Sequence, residues 1–168
     1  MLLIEEYWSE ISGMKASTHF LGGVVVGYTV YPSITGAVIG GVAGLLPDID
    51  DNRSFAGRVF FFISWPLRHI VGHRTLFHSW IPVLLLTICA LIWEGGVTLA
   101  ILTGFSSHIL LDMFVGRVQF FFPYELKIGV KMPYALYVVV DLITRIGLAA
   151  VALVFVWNTY LSEWFSWI

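Results

Sequence analysis

The sequence predicts an all-α integral membrane protein with two short helical hairpins, an interfacial segment and one C-terminal transmembrane helix. Composition is the first observation, since 58% of the 168 residues are hydrophobic and only 12% are charged. Soluble domains carry about 25% charged residues, and the mean hydropathy here is +0.87. The second observation is that turns containing Pro or Gly divide most apolar stretches into pieces shorter than the roughly 20 residues that cross a bilayer.

A chain of this length fits one domain, residues 1–168. We expect residues 1–16 to form an N-terminal interfacial segment, residues 17–125 the core, and residues 134–158 the C-terminal transmembrane helix. The net charge of −2 gives no reason to expect nucleic acid as a partner. The single cysteine excludes an intramolecular disulfide.

The first hairpin is predicted from a break inside an apolar stretch that runs from 20 to 46. Pro32 stops a helix and Ser33 can cap the next one. Two helices over 17–30 and 34–46 follow, and glycines repeated at every fourth position would let their backbones approach closely in lipid.

The second hairpin comprises apolar runs over 80–93 and 97–114, joined by a Glu-Gly-Gly turn. Between the hairpins, residues 55–71 mix aromatic and basic side chains, which is typical of a segment at the membrane interface. Residues 116–133 are predicted to form a loop with short extended pieces. In the final helix, Asp141 and Arg145 are four residues apart and are expected to pair for packing.

The hairpins predict where the polar residues meet. At about 1.5 Å per helical residue, His19 and Asp48 both lie roughly 20 Å from the first turn, on the same side of the membrane. His78 and Asp112 are likewise equidistant from the second turn, and His108 shares a helix face with Asp112.

Seven residues can therefore converge as ligands of a divalent transition metal. Zinc is the first choice, manganese and iron are alternatives, and there is room for one or two ions. Asp50 and Arg74 are the catalytic candidates, with Arg74 binding an anionic group such as a phosphate. The predicted metal ligands are His19, Asp48, Asp50, His73, His78, His108 and Asp112.

Four separate pieces of the chain resemble one family. The first two pieces are Thr18-His19 and the 45–50 run Leu-Leu-Pro-Asp-Ile-Asp. The third is the block His73-Arg74-x-x-x-His78-Ser79. The fourth is His108-x-x-x-Asp112, followed by the 118–123 run Val-Gln-Phe-Phe-Phe-Pro. Together they resemble the YdjM-like membrane-bound metal-dependent hydrolases, some of which are LexA-regulated. Thr75 and Phe77 stand where family members usually have glycine and threonine. The resemblance implies a metal-dependent hydrolase of a bacterial or archaeal cytoplasmic membrane.

The sequence thus predicts a multi-pass hydrolase whose metal-activated water cleaves a lipid or another amphiphilic ester or phosphoester. Its partners would be the lipid bilayer and that amphiphilic substrate. The alternative is a membrane protein that transports or senses a metal ion, since intramembrane His and Asp also suit a transport path. Basic residues fall on the ligand side and not in the turns, which places the site in the cytoplasm. These residues are Lys15, Arg53, Arg58, Arg68, Arg74, Arg117, Lys127 and Lys131.

Overall fold

The computed structural model describes residues 14–70 and 72–161. Most of the predicted N-terminal interfacial segment lies outside the described residues. The prediction of an all-α protein is confirmed, because α-helices dominate and only two strands of two residues each occur in the described ranges. The helices are α1 Ala16–Val30, α2 Ile34–Ala43, α3 Phe55–Val59, α4 Phe61–Ile70, α5 Trp80–Ile92, α6 Gly96–Val115 and α7 Tyr134–Val156. Short 3₁₀ helices lie at Pro47–Asp50 and Leu76–His78, and α7 continues into a π-helical turn at Trp157–Leu161.

The helix ends follow local capping chemistry. The predicted break after α1 is confirmed, and Ser33 caps α2 by accepting a hydrogen bond from the backbone N–H of Gly36 at 3.0 Å. Ser79 caps α5 in the same way, through the N–H of Ile81 at 3.3 Å. Helix α2 ends three residues earlier than predicted because the chain tightens into the 3₁₀ helix that begins at Pro47.

Glycines bring α1, α2 and α6 into backbone contact. A Cβ atom added to Gly23 would overlap the carbonyl group of Gly40, and one added to Gly104 would overlap the same carbonyl group. Any side chain at these positions would push the helices apart. Such close approach supports helix association in lipid, where van der Waals packing replaces the hydrophobic effect.

The three helices run so that their polar ends coincide. Helices α1 and α2 are antiparallel, because Gly23 meets Gly40 while the carbonyl of His19 lies beside Gly44. Helix α6 runs parallel to α2, since Gly104 meets Gly40 and His108 meets Gly44 one turn further on. The ends that carry His19 and His108 are therefore neighbours.

Within the described residues, two helices are long and apolar enough to cross a membrane, Gly96–Val115 and Tyr134–Thr159. Only 6% of the apolar stretch in the second is buried inside the protein. Large apolar side chains on α7, such as Ile143 and Leu153, are instead about two-thirds exposed. This surface requires an apolar solvent.

The segment predicted to be interfacial forms α3 and α4, which pack on the first 3₁₀ helix through a small-residue face. Ala56, Gly57 and Ser64 are buried there. The opposite face is apolar and open, with Phe62 89% exposed and Ile70 80% exposed.

The loop predicted over 116–133 contains an antiparallel pair of strands, β1 Arg117–Val118 and β2 Ile128–Gly129. This loop holds the His73–Ser79 block in place. The N–H of Gln119 donates to the carbonyl of Arg74 at 3.0 Å, and the indole N–H of Trp80 donates to the carbonyl of Phe122 at 3.0 Å.

Substitution of Gly40 by alanine tests the close packing. We expect Gly40→Ala to lower the melting temperature in detergent by several degrees, because the added methyl group overlaps the backbone of α1. Gly147→Ala is the matched control, since a Cβ there meets nothing within 4 Å, and alanine is the better helix former by about 1 kcal/mol. Equal melting temperatures for the two variants would contradict the packing.

Candidate metal centre

The cluster is assembled from four segments of the chain. The first 3₁₀ helix carries Asp48 and Asp50, and the second ends at His78. His19 comes from the first turns of α1, while the last two turns of α6 supply His108 and Asp112. Leu46 and Pro47 produce the tight turn that aims the two aspartates at the helix ends.

At the centre of the cluster, His78 and His108 face each other with their Nε2 atoms 3.1 Å apart. Asp48 Oδ1 lies 3.4 Å from His108 Nε2, and Asp112 Oδ2 lies 3.4 Å from His78 Nε2. Both imidazoles are fully buried and Asp112 is 1% exposed. Four potential ligands therefore point at one small volume.

His19 completes the cluster from the other side. Its ring stacks on that of His108 with centroids 3.7 Å apart, and its Nε2 lies 3.4 Å from Asp112 Oδ1. The side chain is 1% exposed, and its Nδ1 has no hydrogen-bond partner. A buried imidazole nitrogen without a hydrogen-bond partner is costly unless another ligand satisfies it.

In the part of the chain that the structure describes, two groups of three residues have ligand atoms that all lie within 4.8 Å of one another. His19, His108 and Asp112 form one group, and Asp48, His78 and His108 form the other. Buried imidazoles with carboxylates are the donors that zinc, manganese and iron accept, and Asp112 Oδ2 forms an ion pair with Arg74 but makes no hydrogen bond. The donor set fits a divalent transition metal.

The ring orientation of His108 is set by a backbone carbonyl. His108 Nδ1 lies 2.7 Å from the carbonyl oxygen of Gly44. An oxygen at this distance assigns the proton to Nδ1, which leaves the Nε2 lone pair facing His78 and Asp48. No sequence signal identifies this contact, because any residue supplies a carbonyl.

Asp50 and His73 form an outer layer. Asp50 Oδ1 lies 2.7 Å from His73 Nδ1, and its Oδ2 lies 3.5 Å from His78 Nδ1. The predicted ligand and catalytic residue Asp50 thus faces the far nitrogen of His78 and stands outside both groups of three. A carboxylate in this position orients a ligand histidine. His73 is 23% exposed, at the edge of the cluster.

Arg74 lies against Asp112. Its Nε is 3.1 Å from Asp112 Oδ2, and its Nη2 donates to Asp112 Oδ1 at 3.3 Å. The backbone of Arg74 is left-handed, with φ 60°, a conformation that costs a non-glycine residue about 1 kcal/mol or more. The strain is compensated by a two-point contact that holds the carboxylate of Asp112.

The surroundings of the two 3₁₀ helices favour the protonated form of His78 and the ionised forms of Asp48 and Asp50. Burial by itself lowers the pKa of His78, but the hydrogen bonds and charges of Asp112 and Asp50 outweigh it and raise that pKa to about 9. Burial raises the pKa of Asp50, but its contacts with His73 and His78 leave it below the usual value. The pKa of Asp48 is likewise lowered, since His108 outweighs the burial.

The raised pKa of His78 and the 3.1 Å separation of the two Nε2 atoms favour a hydrogen bond from His78 to His108. Of the seven predicted ligands, five converge in the two groups of three, while Asp50 and His73 lie in the outer layer. His69, which was not predicted as a ligand, is exposed and its Nδ1 contacts the carbonyl of Trp65.

Fold and site together define an α-helical membrane protein with a buried histidine–aspartate cluster. Residues 14–167 match the family described as YdjM inner membrane protein. Since the match covers most of the chain, the protein belongs to that family, and the resemblance seen in the sequence motifs is confirmed. Its location in a membrane follows from the family and from the apolar helices.

Individual relatives match parts of the chain. The chain is 27% identical over 127 residues to a Bacillus subtilis (strain 168) protein named "Uncharacterized protein YvsG", covering 71% of this chain and 79% of the relative. It is 41% identical over 76 residues to the inner membrane protein YdjM of Escherichia coli (strain K12) and to that of Shigella flexneri, covering 41% of this chain and 39% of each relative. No solved structure matches the chain significantly.

Metal binding should compete with the proton on His78. A metal requires the neutral imidazole, so binding displaces this proton at any pH below the raised pKa of about 9. We expect the apparent Zn²⁺ affinity to rise by up to about tenfold per pH unit between about pH 6 and about pH 8. Chelator competition measures the affinity, and His69→Gln, outside the cluster, should show the same dependence as wild type. Affinity that does not change with pH would contradict the assignment.

Proposed function

We propose that this protein is a membrane-bound metal-dependent hydrolase that acts on a lipid or another amphiphilic ester or phosphoester. The observation that carries the proposal is the convergence of buried His and Asp side chains with ligand atoms within 4.8 Å of one another. Ionisable groups are costly at membrane depth, and their retention is by default functional. Zinc is the metal we infer first, with manganese or iron as alternatives and one or two ions.

Each part of the cluster has a role in this proposal. The two groups of three residues would hold the metal, which when bound would act as a Lewis acid toward a water and an ester. Asp50 would orient His78 through the Nδ1 atom of the imidazole, on the far side from the cluster centre. His73, at the exposed edge of the cluster, contacts Asp50 in turn. Asp48 is 18% exposed and lies on the accessible side, where it would be the ligand nearest to an entering substrate.

Arg74 supports the assignment to ester or phosphoester chemistry. Its guanidinium carries a permanent charge beside the cluster, and its side chain is 13% exposed. A cation in this place stabilises the anionic charge that develops on an ester oxygen. Arg74 also contacts both carboxylate oxygens of Asp112. It would therefore both bind the anionic part of the substrate and fix the position of Asp112.

The depth of the polar groups favours hydrolysis over transport. A transporter needs polar groups through the whole depth of the membrane. In the described helices α1, α2, α5 and α6, the three His and Asp residues His19, His108 and Asp112 lie only at the end away from the turns. A site at one end, closed by apolar helices, matches an enzyme at the membrane–water boundary.

The short lengths of α2 and α5, in contrast to that of α6, favour re-entrant hairpins that enter and leave at one leaflet. Helix α2 has 10 residues, about 15 Å of helix, and α5 has 13, about 20 Å. The hydrocarbon core is about 30 Å thick. With basic residues at the cluster end and none in the turns at 31–33 and 93–96, the site would face the cytoplasm.

Two substitutions separate metal binding from substrate stabilisation. We expect His78→Gln to lose the bound metal and all hydrolysis, because it removes a central ligand. Arg74→Lys should keep the metal but lower turnover by about 10²-fold, since an ammonium cannot replace the planar fork. Metal is measured in the detergent-purified protein, and turnover with phosphoester and carboxylester lipids. A metal-free wild type, or activity unchanged in His78→Gln, would refute the proposal, and metal uptake into proteoliposomes without hydrolysis would favour transport.

The open face of α3 and α4 suggests how an amphiphilic substrate arrives. Phe62 projects from the same segment whose Arg68 forms an ion pair with Asp51, next to the cluster residue Asp50. Aromatic side chains with flanking arginines favour the headgroup region. The segment would thus hold the cluster at the lipid surface.

Removal of one aromatic anchor should affect lipid substrates selectively. We expect Phe62→Ser to lower turnover of a bilayer-embedded ester several-fold while leaving metal content and turnover of a short-chain, water-soluble ester unchanged. Leu153→Ser, which removes a largely exposed apolar side chain far along α7, is the control. Parallel loss on both substrates would point to misfolding instead of substrate delivery.

A further inference from the structure

A buried carboxylate joins the C-terminal helix to the start of α1. Asp141 accepts hydrogen bonds from the hydroxyl of Thr18 at 2.7 Å and from the backbone N–H of Lys15 at 3.1 Å. Asp141 is 2% exposed and Thr18 is fully buried. The predicted pairing of Asp141 with Arg145 is present at 3.9 Å, but the closer contacts of the carboxylate are with α1.

These contacts replace a missing helix cap. Lys15 is the N-cap residue of α1, and its side chain makes no capping hydrogen bond. A carboxylate that receives the N-cap N–H does what the glutamate of a capping box does, and negative charge is favoured at this end of the helix dipole. Here the carboxylate comes from α7, more than 120 residues away along the chain.

A second contact reinforces the first. Arg145 lies one turn further along α7, and its Nη1 donates to the hydroxyl of Ser17 at 3.2 Å. Only Tyr137 and Asp141 are buried in α7. A charged group at this depth is costly. Packing alone therefore does not explain why one of the few buried residues of α7 is a carboxylate.

We propose that Asp141 is a positioning residue of the metal centre, holding the first turn of α1 so that His19, next to Thr18, meets His108 and Asp112. The inference rests on the proposed function, since it takes the cluster to be a metal site. The stacking of His19 on His108 at 3.7 Å and its 3.4 Å distance to Asp112 leave little tolerance for movement of this turn. The C-terminal helix is thus part of the site.

Cobalt binding to the full-length protein in detergent tests the inference without an activity assay. Co²⁺ reports its ligands through visible absorption, and a titration yields its affinity. We expect Thr18→Val and Asp141→Leu to weaken Co²⁺ binding about tenfold and to shift the absorption bands. Asp141→Asn, which keeps a side-chain oxygen for both donors, should stay close to wild type.

Thr29→Val is the matched control, because it makes the same change in the same helix at an exposed hydroxyl that donates to the carbonyl of Val25. It should leave affinity and spectrum unchanged. If Thr18→Val also matches wild type in both, the inference is overturned while the metal site stands. If wild type binds no Co²⁺, the proposed function itself fails. Should Asp141→Leu not fold, Thr18→Val and Asp141→Asn decide the question.

Discussion

The contact of three helix backbones at Gly23, Gly40 and Gly104 is the constraint on which the polar cluster depends. In lipid, apolar side chains gain nothing by leaving the solvent, so helices associate where small residues permit close van der Waals contact. This contact sets both the separation and the relative direction of α1, α2 and α6. It thereby places His19 against His108.

Burying so many ionisable groups is possible because each has a compensating neighbour. Arg74 holds Asp112 at two points, His73 holds Asp50, and a backbone carbonyl receives His108 Nδ1. These outer contacts leave the inner nitrogen and oxygen atoms aimed at one another instead of at solvent. Such an arrangement is stable only if protons or a cation occupy the centre, which is the physical basis for treating it as a metal centre.

The described part of the molecule has three surfaces that suit different environments. Helix α7 exposes apolar side chains along most of its length, α3 and α4 expose aromatic ones beside arginines, and the cluster opens at its Asp48 and His73 edge. The surface of α3 and α4 adjoins the cluster through the first 3₁₀ helix, and α7 contacts the start of α1. Under the proposed function, these surfaces would suit an amphiphilic substrate with an apolar tail and a polar headgroup.

The helices, their breaks and the side of the molecule that holds the polar residues could be read from the sequence, because proline, capping serines and apolar runs act locally. Pro32 with Ser33 and the serine at 79 are such signals. Local patterns also identified which His and Asp residues fall opposite the turns, since helix rise depends only on residue number.

Tertiary structure alone decided which of these residues touch. Asp50, one of the predicted metal ligands, lies behind His78, and Asp141 reaches Thr18 on another helix in addition to its expected contact with Arg145. Both outcomes depend on the rotation of one helix or 3₁₀ turn about its axis relative to another. That rotation is set by side-chain and backbone packing between segments distant in sequence, which no local pattern encodes.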